Sequence, residues 1–118
     1  MPQAAQARPV DLDHLARYTG GDAALNAEVL NLFADQSAEL IAKLQAVLET
    51  RDLKSWKEIT HSLKGAARGI GAFGFADAAA NAEPVEPAPD NIGAIDALQA
   101  LKREAGIVQR FIEAYLAR

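Results

Sequence analysis

The sequence predicts an all-α protein, an antiparallel four-helix bundle with a short additional N-terminal helix. Three observations carry that expectation. The 118 residues include 26 alanines against 15 Val, Ile and Thr together, and alanine loses no side-chain entropy in a helix whereas β-branched residues do. Prolines stand only at positions 2, 9, 84, 87 and 89, so nothing between Val10 and Glu83 obliges a helix to break. Apolar residues recur at spacings of three and four, the mark of one buried helical stripe, and the alternation of a half-buried strand is absent.

Taken in order, residues 1–10 read as a disordered leader, with two prolines among small and polar side chains. Residues 11–118 read as one bundle domain. Asp11 to Tyr18 fits a short helix, which Thr19-Gly20-Gly21 stops before Asp22, a good N-cap for the next. From Asp22 to Glu49, Leu25, Val29, Leu32, Phe33, Leu40, Leu44, Val47 and Leu48 form the apolar stripe of a long amphipathic helix. Thr50-Arg51-Asp52 turns the chain, Asp52 caps the next helix, and Leu53 to Ile70 continues it until Gly69 and Gly71 end it. Phe73, Phe75, Ala76, Ala79, Ala80 and Glu83 fit a shorter helix closed by Pro84-Val85-Glu86-Pro87-Ala88-Pro89, a stiff connector. Asp90 or Asn91 caps the last helix, where Ile95, Leu98, Leu101, Ala105, Val108, Ile112 and Tyr115 form the seam. Each of the four longer segments has one apolar stripe, and short connections make neighbours antiparallel.

Composition excludes several classes of function. With no cysteine, disulfides, thiolate nucleophiles and Cys-type zinc sites are ruled out. No apolar run approaches the ~20 residues of a membrane span, and Met1-Pro2-Gln3-Ala4-Ala5-Gln6 lacks the regions of a signal peptide. A soluble, cytoplasmic protein is expected, and a monomer, since no spare apolar face is evident. Net charge is -4 and aromatics are 6%, whereas nucleic-acid binding calls for basic residues interleaved with aromatics. No nucleic acid and no membrane are therefore expected as partners.

The chemistry concentrates in residues 51–68, which carry five basic and two acidic side chains inside an acidic chain. On a wheel of about 100° per residue, Lys54, Lys57, Lys64, Gly65 and Arg68 fall within roughly 60° of His61, while Trp56, Ile59, Leu63, Ala66 and Ile70 cluster around the opposite pole. A histidine among apolar residues is ordinarily a hydrogen-bonded core side chain, but this wheel turns His61 to solvent. An exposed imidazole flanked by Lys64 and Arg68 suits the acceptance of a phosphoryl group, because a ring nitrogen is nucleophilic near neutral pH and the cations offset the phosphoryl charge. Gly65 in mid-helix costs about 1 kcal/mol relative to Ala. A missing side chain one turn from His61 gives an approaching protein access to the ring.

Other motifs fail on their physical context. Gly69-Ile70-Gly71-Ala72-Phe73-Gly74 fits G-x-G-x-x-G, but a Lys- and Arg-bearing helix precedes it where a buried strand is needed. Glu58-Ile59-Thr60-His61 fits the E-x-x-H of di-iron bundles, which need two such motifs and two further Glu pointing inward. Asp11-Leu12-Asp13-His14 supplies no substitute, and His14 reads as a surface residue. Ser62 points about 100° away from His61 and makes no hydrolytic dyad with it.

The run His61-Ser62-Leu63-Lys64-Gly65-Ala66-Ala67-Arg68-Gly69-Ile70-Gly71-Ala72 resembles the signature of histidine-containing phosphotransfer (HPt) domains of bacterial two-component phosphorelays. Thr19-Gly20-Gly21-Asp22 with Leu30 and Phe33, the Asp52 turn and the helix ending in Glu83 extend the resemblance over residues 11 to 83. The last helix is only compatible with it. The resemblance implies a phosphocarrier rather than an enzyme, in which His61 takes a phosphoryl group from a receiver-domain aspartyl-phosphate and passes it to another receiver. It further implies that Lys64 and Arg68 contact the phosphoryl group, with Arg68 at a position that varies in the family, and that Gly65 opens the docking face beside Lys54 and Lys57. Response-regulator receiver domains or a hybrid histidine kinase would be the partners. No cofactor or metal is expected on this chain, and Mg²⁺ would sit in the receiver. The rival reading is a phosphorylation-independent adaptor that binds through the same basic face.

Overall fold

A computed structural model describes residues 8–117. Five helices follow one another, α1 (Leu12–Thr19), α2 (Ala23–Thr50), α3 (Leu53–Gly69), α4 (Phe73–Ala82) and α5 (Ile92–Leu116), with no strand among the described residues. The expected caps Asp22, Asp52 and Asn91 form, accepting the backbone N–H groups of Leu25, Ser55 and Gly93, and Asp11, expected inside the first helix, instead caps it by accepting the His14 N–H. Each satisfies a donor that the first turn of a helix leaves unpaired. The last helix takes Asn91 rather than Asp90.

The four long helices close a ring, α2 on α3, α3 on α4, α4 on α5 and α5 back on α2, with α1 laid on α2. At 1.5 Å per residue α2 is about 42 Å long, close to the 43 Å longest extent of the molecule. Phe33 of α2 and Phe75 of α4 meet edge to face across the bundle, ring centroids 5.4 Å apart, an arrangement in which one ring's edge faces the other's electron-rich face. Ala76, Ala79 and Ala82 of α4 are buried, as is Ala67 of α3. Their small side chains let α4 lie close against its neighbours.

Four expectations are corrected. The disordered leader cannot run through residue 10: Val10 is fully buried in the core and the Asp11 N–H donates to the Gly71 carbonyl at 2.9 Å. Residues 1–7 lie outside the described residues. On α2 the buried stripe is Asn26, Leu30, Phe33, Ser37, Ile41, Leu44 and Leu48, whereas Leu25 and Leu32, placed on the core side by periodicity, are 40% and 57% exposed. The helix carries two apolar stripes, and the buried one passes through polar Asn26 and Ser37. Ala66, expected in the core of α3, is exposed, and Thr60 and Ala67 are buried in its place. Finally, Phe73, counted on the apolar stripe of α4, is 43% exposed, and its ring packs edge to face on His14.

Burial of these polar groups is compensated. The Thr19 hydroxyl bonds the Asn26 side-chain carbonyl, and the Asn26 amide donates to the Tyr115 hydroxyl at 3.2 Å, joining α1, α2 and α5. The Thr60 hydroxyl donates to the Trp56 carbonyl at 2.8 Å. No buried side-chain donor or acceptor among the described residues is left without a partner, which removes the penalty such groups otherwise impose.

Candidate functional site

α3 presents its chemistry because its other face is anchored. Trp56, Thr60, Leu63, Ala67 and Ile70 are buried, and steps of three and four between them fix the helix rotation. Trp56 adds a directional tie, its indole N–H donating to the Ala82 carbonyl at 2.8 Å. That bond pins α3 to the end of α4, one residue before Glu83. With the core face so held, Lys54, Lys57, His61, Gly65 and Arg68 all emerge exposed. The His61 side chain is 69% accessible.

Lys64 departs from the expectation of a free cation on the solvent face. Its side chain is only 20% accessible, and its ammonium donates to Glu83 Oε1 at 2.8 Å. The other oxygen of the same carboxylate, Oε2, lies 3.4 Å from His61 Nδ1. One carboxylate at the end of α4 thus faces both the imidazole and the nearest cation. The Lys64 hydrogen bond holds the Glu83 carboxyl below its ordinary value, and partial burial opposes that shift. Arg68, Lys54 and Lys57 make no ion pair among the described residues.

Glu83 entered the sequence reading only as the end of a helix. The register of a helical hairpin carries its signal: His61 lies ten residues before Gly71 and Glu83 twelve after it, so a tight turn there sets the two side by side. The turn is tight. Gly71 has φ +80 and its carbonyl receives the Asp11 N–H, while a Cβ at this residue would stand 2.7 Å from the Asp11 carbonyl oxygen.

Gly65 is open: a Cβ there would meet nothing within 4 Å. One turn further on, Gly69 and Ile70 line a shallow groove with Leu15, Tyr18, Thr19 and Val29. Its rim carries Tyr18, 69% exposed. His14 packs its ring edge to face against Tyr18 and Phe73, and is part of that corner rather than of the basic stripe. No group of three or more His, Asp or Glu suited to a metal ion occurs among the described residues, and none of their helices is long and apolar enough to cross a membrane.

A helical bundle that displays an exposed histidine on a basic, glycine-opened helix has the arrangement of a histidine carrier domain. The family comparison agrees: the model of the Hpt domain matches residues 28–105. The chain belongs to the Hpt domain family, whose members carry phosphoryl groups on histidine in phosphorelays. The match reaches well into α5, beyond the part on which the sequence motifs bear. Comparison with curated proteins and with solved structures returns no match.

Proposed function

We propose that this chain is a phosphorelay intermediate in which His61 accepts a phosphoryl group from the aspartyl-phosphate of a receiver domain and returns it to another. The observation that carries the reading is the position of His61, exposed on the face of α3 that also bears Lys54, Lys57, Lys64, Gly65 and Arg68. A neutral ring nitrogen there attacks the phosphorus in line with the departing carboxylate oxygen. Lys64 and Arg68 offset the charge of the phosphoryl oxygens as it moves. The receiver brings the acidic pocket and its Mg²⁺, so this chain needs no cofactor of its own.

Docking is assigned to the same face. Lys54 and Lys57 complement an acidic pocket rim, Gly65 lets the receiver reach the ring, and the groove at Tyr18, Val29 and Gly69 extends the contact with apolar surface. The test is direct. Incubated with a phosphorylated receiver domain and Mg²⁺, the protein acquires a label stable to alkali and lost in acid, and His61→Gln abolishes it while the circular dichroism spectrum stays helical. A receiver that binds but never transfers phosphate would favour the adaptor reading. A label that persists in His61→Gln would move the site.

A further inference from the structure

Three rings meet where α1 touches the start of α4, away from the basic stripe. The His14 ring lies edge to face against Tyr18 at 5.7 Å and against Phe73 at 5.1 Å. Tyr18 is 69% exposed at the rim of the groove formed with Leu15, Val29, Gly69 and Ile70. Resting on the reading of His61 as phosphoryl acceptor, we propose that Tyr18 is the aromatic anchor of receiver docking and that His14 is a positioning residue, which holds the Tyr18 ring in its docking orientation.

The backbone beneath Tyr18 is fixed at both ends of α1. Before it, the Asp11 N–H bonds the Gly71 carbonyl at 2.9 Å, and after it the buried Thr19 hydroxyl bonds Asn26. Only the side-chain torsions of Tyr18 remain free. A long side chain on a helix leans back over the residue four positions earlier, and for Tyr18 that residue is His14. The imidazole limits the swing of the phenol ring, and Phe73 in turn backs the imidazole. Phe73 opens α4 two residues after Gly71, so the three rings refer Tyr18 to the turn that ends the His61 helix.

Position along α3 identifies the occupant. Gly69 lies eight residues after His61, about 12 Å along the helix. A receiver that buries about 800 Å² on each partner covers a disc of roughly 16 Å radius, so one centred on His61 reaches the groove and Tyr18. Lys54 and Lys57 stand on the other side of His61, seven and four residues before it. Charge steering and apolar anchoring thus occupy opposite ends of one face. The groove takes an apolar patch of the receiver beside its acidic pocket. A tyrosine offers a large contact area for two torsions, and a neighbour that has already ordered those torsions removes part of the entropy cost of binding.

The test is phosphoryl transfer from a phosphorylated receiver domain with Mg²⁺, followed over a range of concentrations of this protein. Tyr18→Ala should raise the half-saturating concentration by roughly tenfold, the effect of removing an interface hot spot. His14→Ala should raise it by roughly three- to tenfold, the effect of one side chain no longer ordered in advance, with the loss falling on half-saturation rather than on the saturated rate. His14→Phe, which keeps a ring against Tyr18 and Phe73, should restore it. The double variant His14→Ala with Tyr18→Ala should be no weaker than Tyr18→Ala alone, because His14 acts through that ring. A merely structural role for His14 would lower the melting temperature without depending on Tyr18. Equal half-saturation in wild type and Tyr18→Ala, additive losses in the double variant, or a His14→Phe as weak as His14→Ala overturns the inference while His61 is still labelled. If Tyr18→Ala transfers normally and instead dissociates a self-associated wild type, a second copy of the chain fills the groove and the inference is overturned. A wild type that takes label from no receiver overturns the relay reading itself.

Discussion

Gly65 is the position where stability and transfer should separate. Its backbone is helical and a Cβ built on it meets nothing within 4 Å, so Gly65→Ala gains the full difference in helix propensity, about 1 kcal/mol, with no steric cost to subtract. For a domain of this size that raises the melting temperature by about 4 °C. The new methyl stands on the exposed face about 6 Å from the base of His61, one turn away, and narrows the approach of a receiver, so transfer falls modestly. Gly65→Gln keeps the fold, since the side chain extends into solvent, but covers the approach, and receiver binding by titration calorimetry weakens sharply. Thermal melts and transfer rates on the same samples decide the matter. If Gly65→Ala lowers the melting temperature, or Gly65→Gln binds and transfers at the wild-type rate, the glycine serves helix packing and the docking face has been placed wrongly.

At Gly71 an alanine should destabilise the protein by about 2–3 kcal/mol in urea titrations, from left-handed strain and the loss of the hydrogen bond with Asp11, since the added Cβ would sit 2.7 Å from the Asp11 carbonyl oxygen at a φ of +80; an unchanged midpoint would show that the α1 contact is dispensable. Arg68→Ala should slow transfer with no change in melting temperature, exposed charges contributing little, whereas Lys64→Ala should slow it more and lower the melting temperature slightly, because it releases Glu83; equal rates in wild type and both variants would reduce the basic stripe to solvated surface. The Glu83 carboxyl titrates below its ordinary 4.5 in the folded chain, chiefly through the Lys64 hydrogen bond, so its contribution to stability is complete above that value and is lost as pH falls through the lower native one. Urea midpoints of wild type and Glu83→Gln should therefore differ at neutral pH and converge on acidification, and a difference that survives full protonation would contradict the ionic contact. The Asp52 cap, lowered chiefly by the Ser55 backbone N–H, follows the same direction.

The elements and the site helix were legible because each is written in local chemistry. Asp22, Asp52 and Asn91 mark helix starts by what their side chains do to unpaired N–H groups, and the apolar period of α3 fixes which residues face away from the core. Where periodicity failed, on α2, hydropathy ranked Leu25 above Asn26, yet Asn26 is the buried one because Thr19 and Tyr115 complete its hydrogen bonds. Those partners lie 7 and 89 residues away, beyond any local pattern. Glu83 escaped for the same reason: a carboxylate at a helix end resembles every solvated glutamate until the hairpin register sets it against His61. The alanines of α4, first read only as helix formers, also permit the close packing that brings that register about.

The tethering of α1 has a consequence for hydrogen exchange. Eight residues are too few to stay helical alone in water, and a helix of that length without tertiary anchors frays. This one is held at both ends. At its start Val10 is buried and the Asp11 amide bonds Gly71, and at its end Thr19 is buried against Asn26. To open α1 is to pull Val10 from the core and to break its hydrogen bonds to the Asn26 side chain of α2 and to the α3–α4 turn together, so its amides report on the same cooperative event as the bundle. The amides of Leu15 and Thr19 should accordingly exchange with deuterium on the timescale of the α2 interior, so that the shortest helix among the described residues is one of the slow-exchanging parts of the molecule.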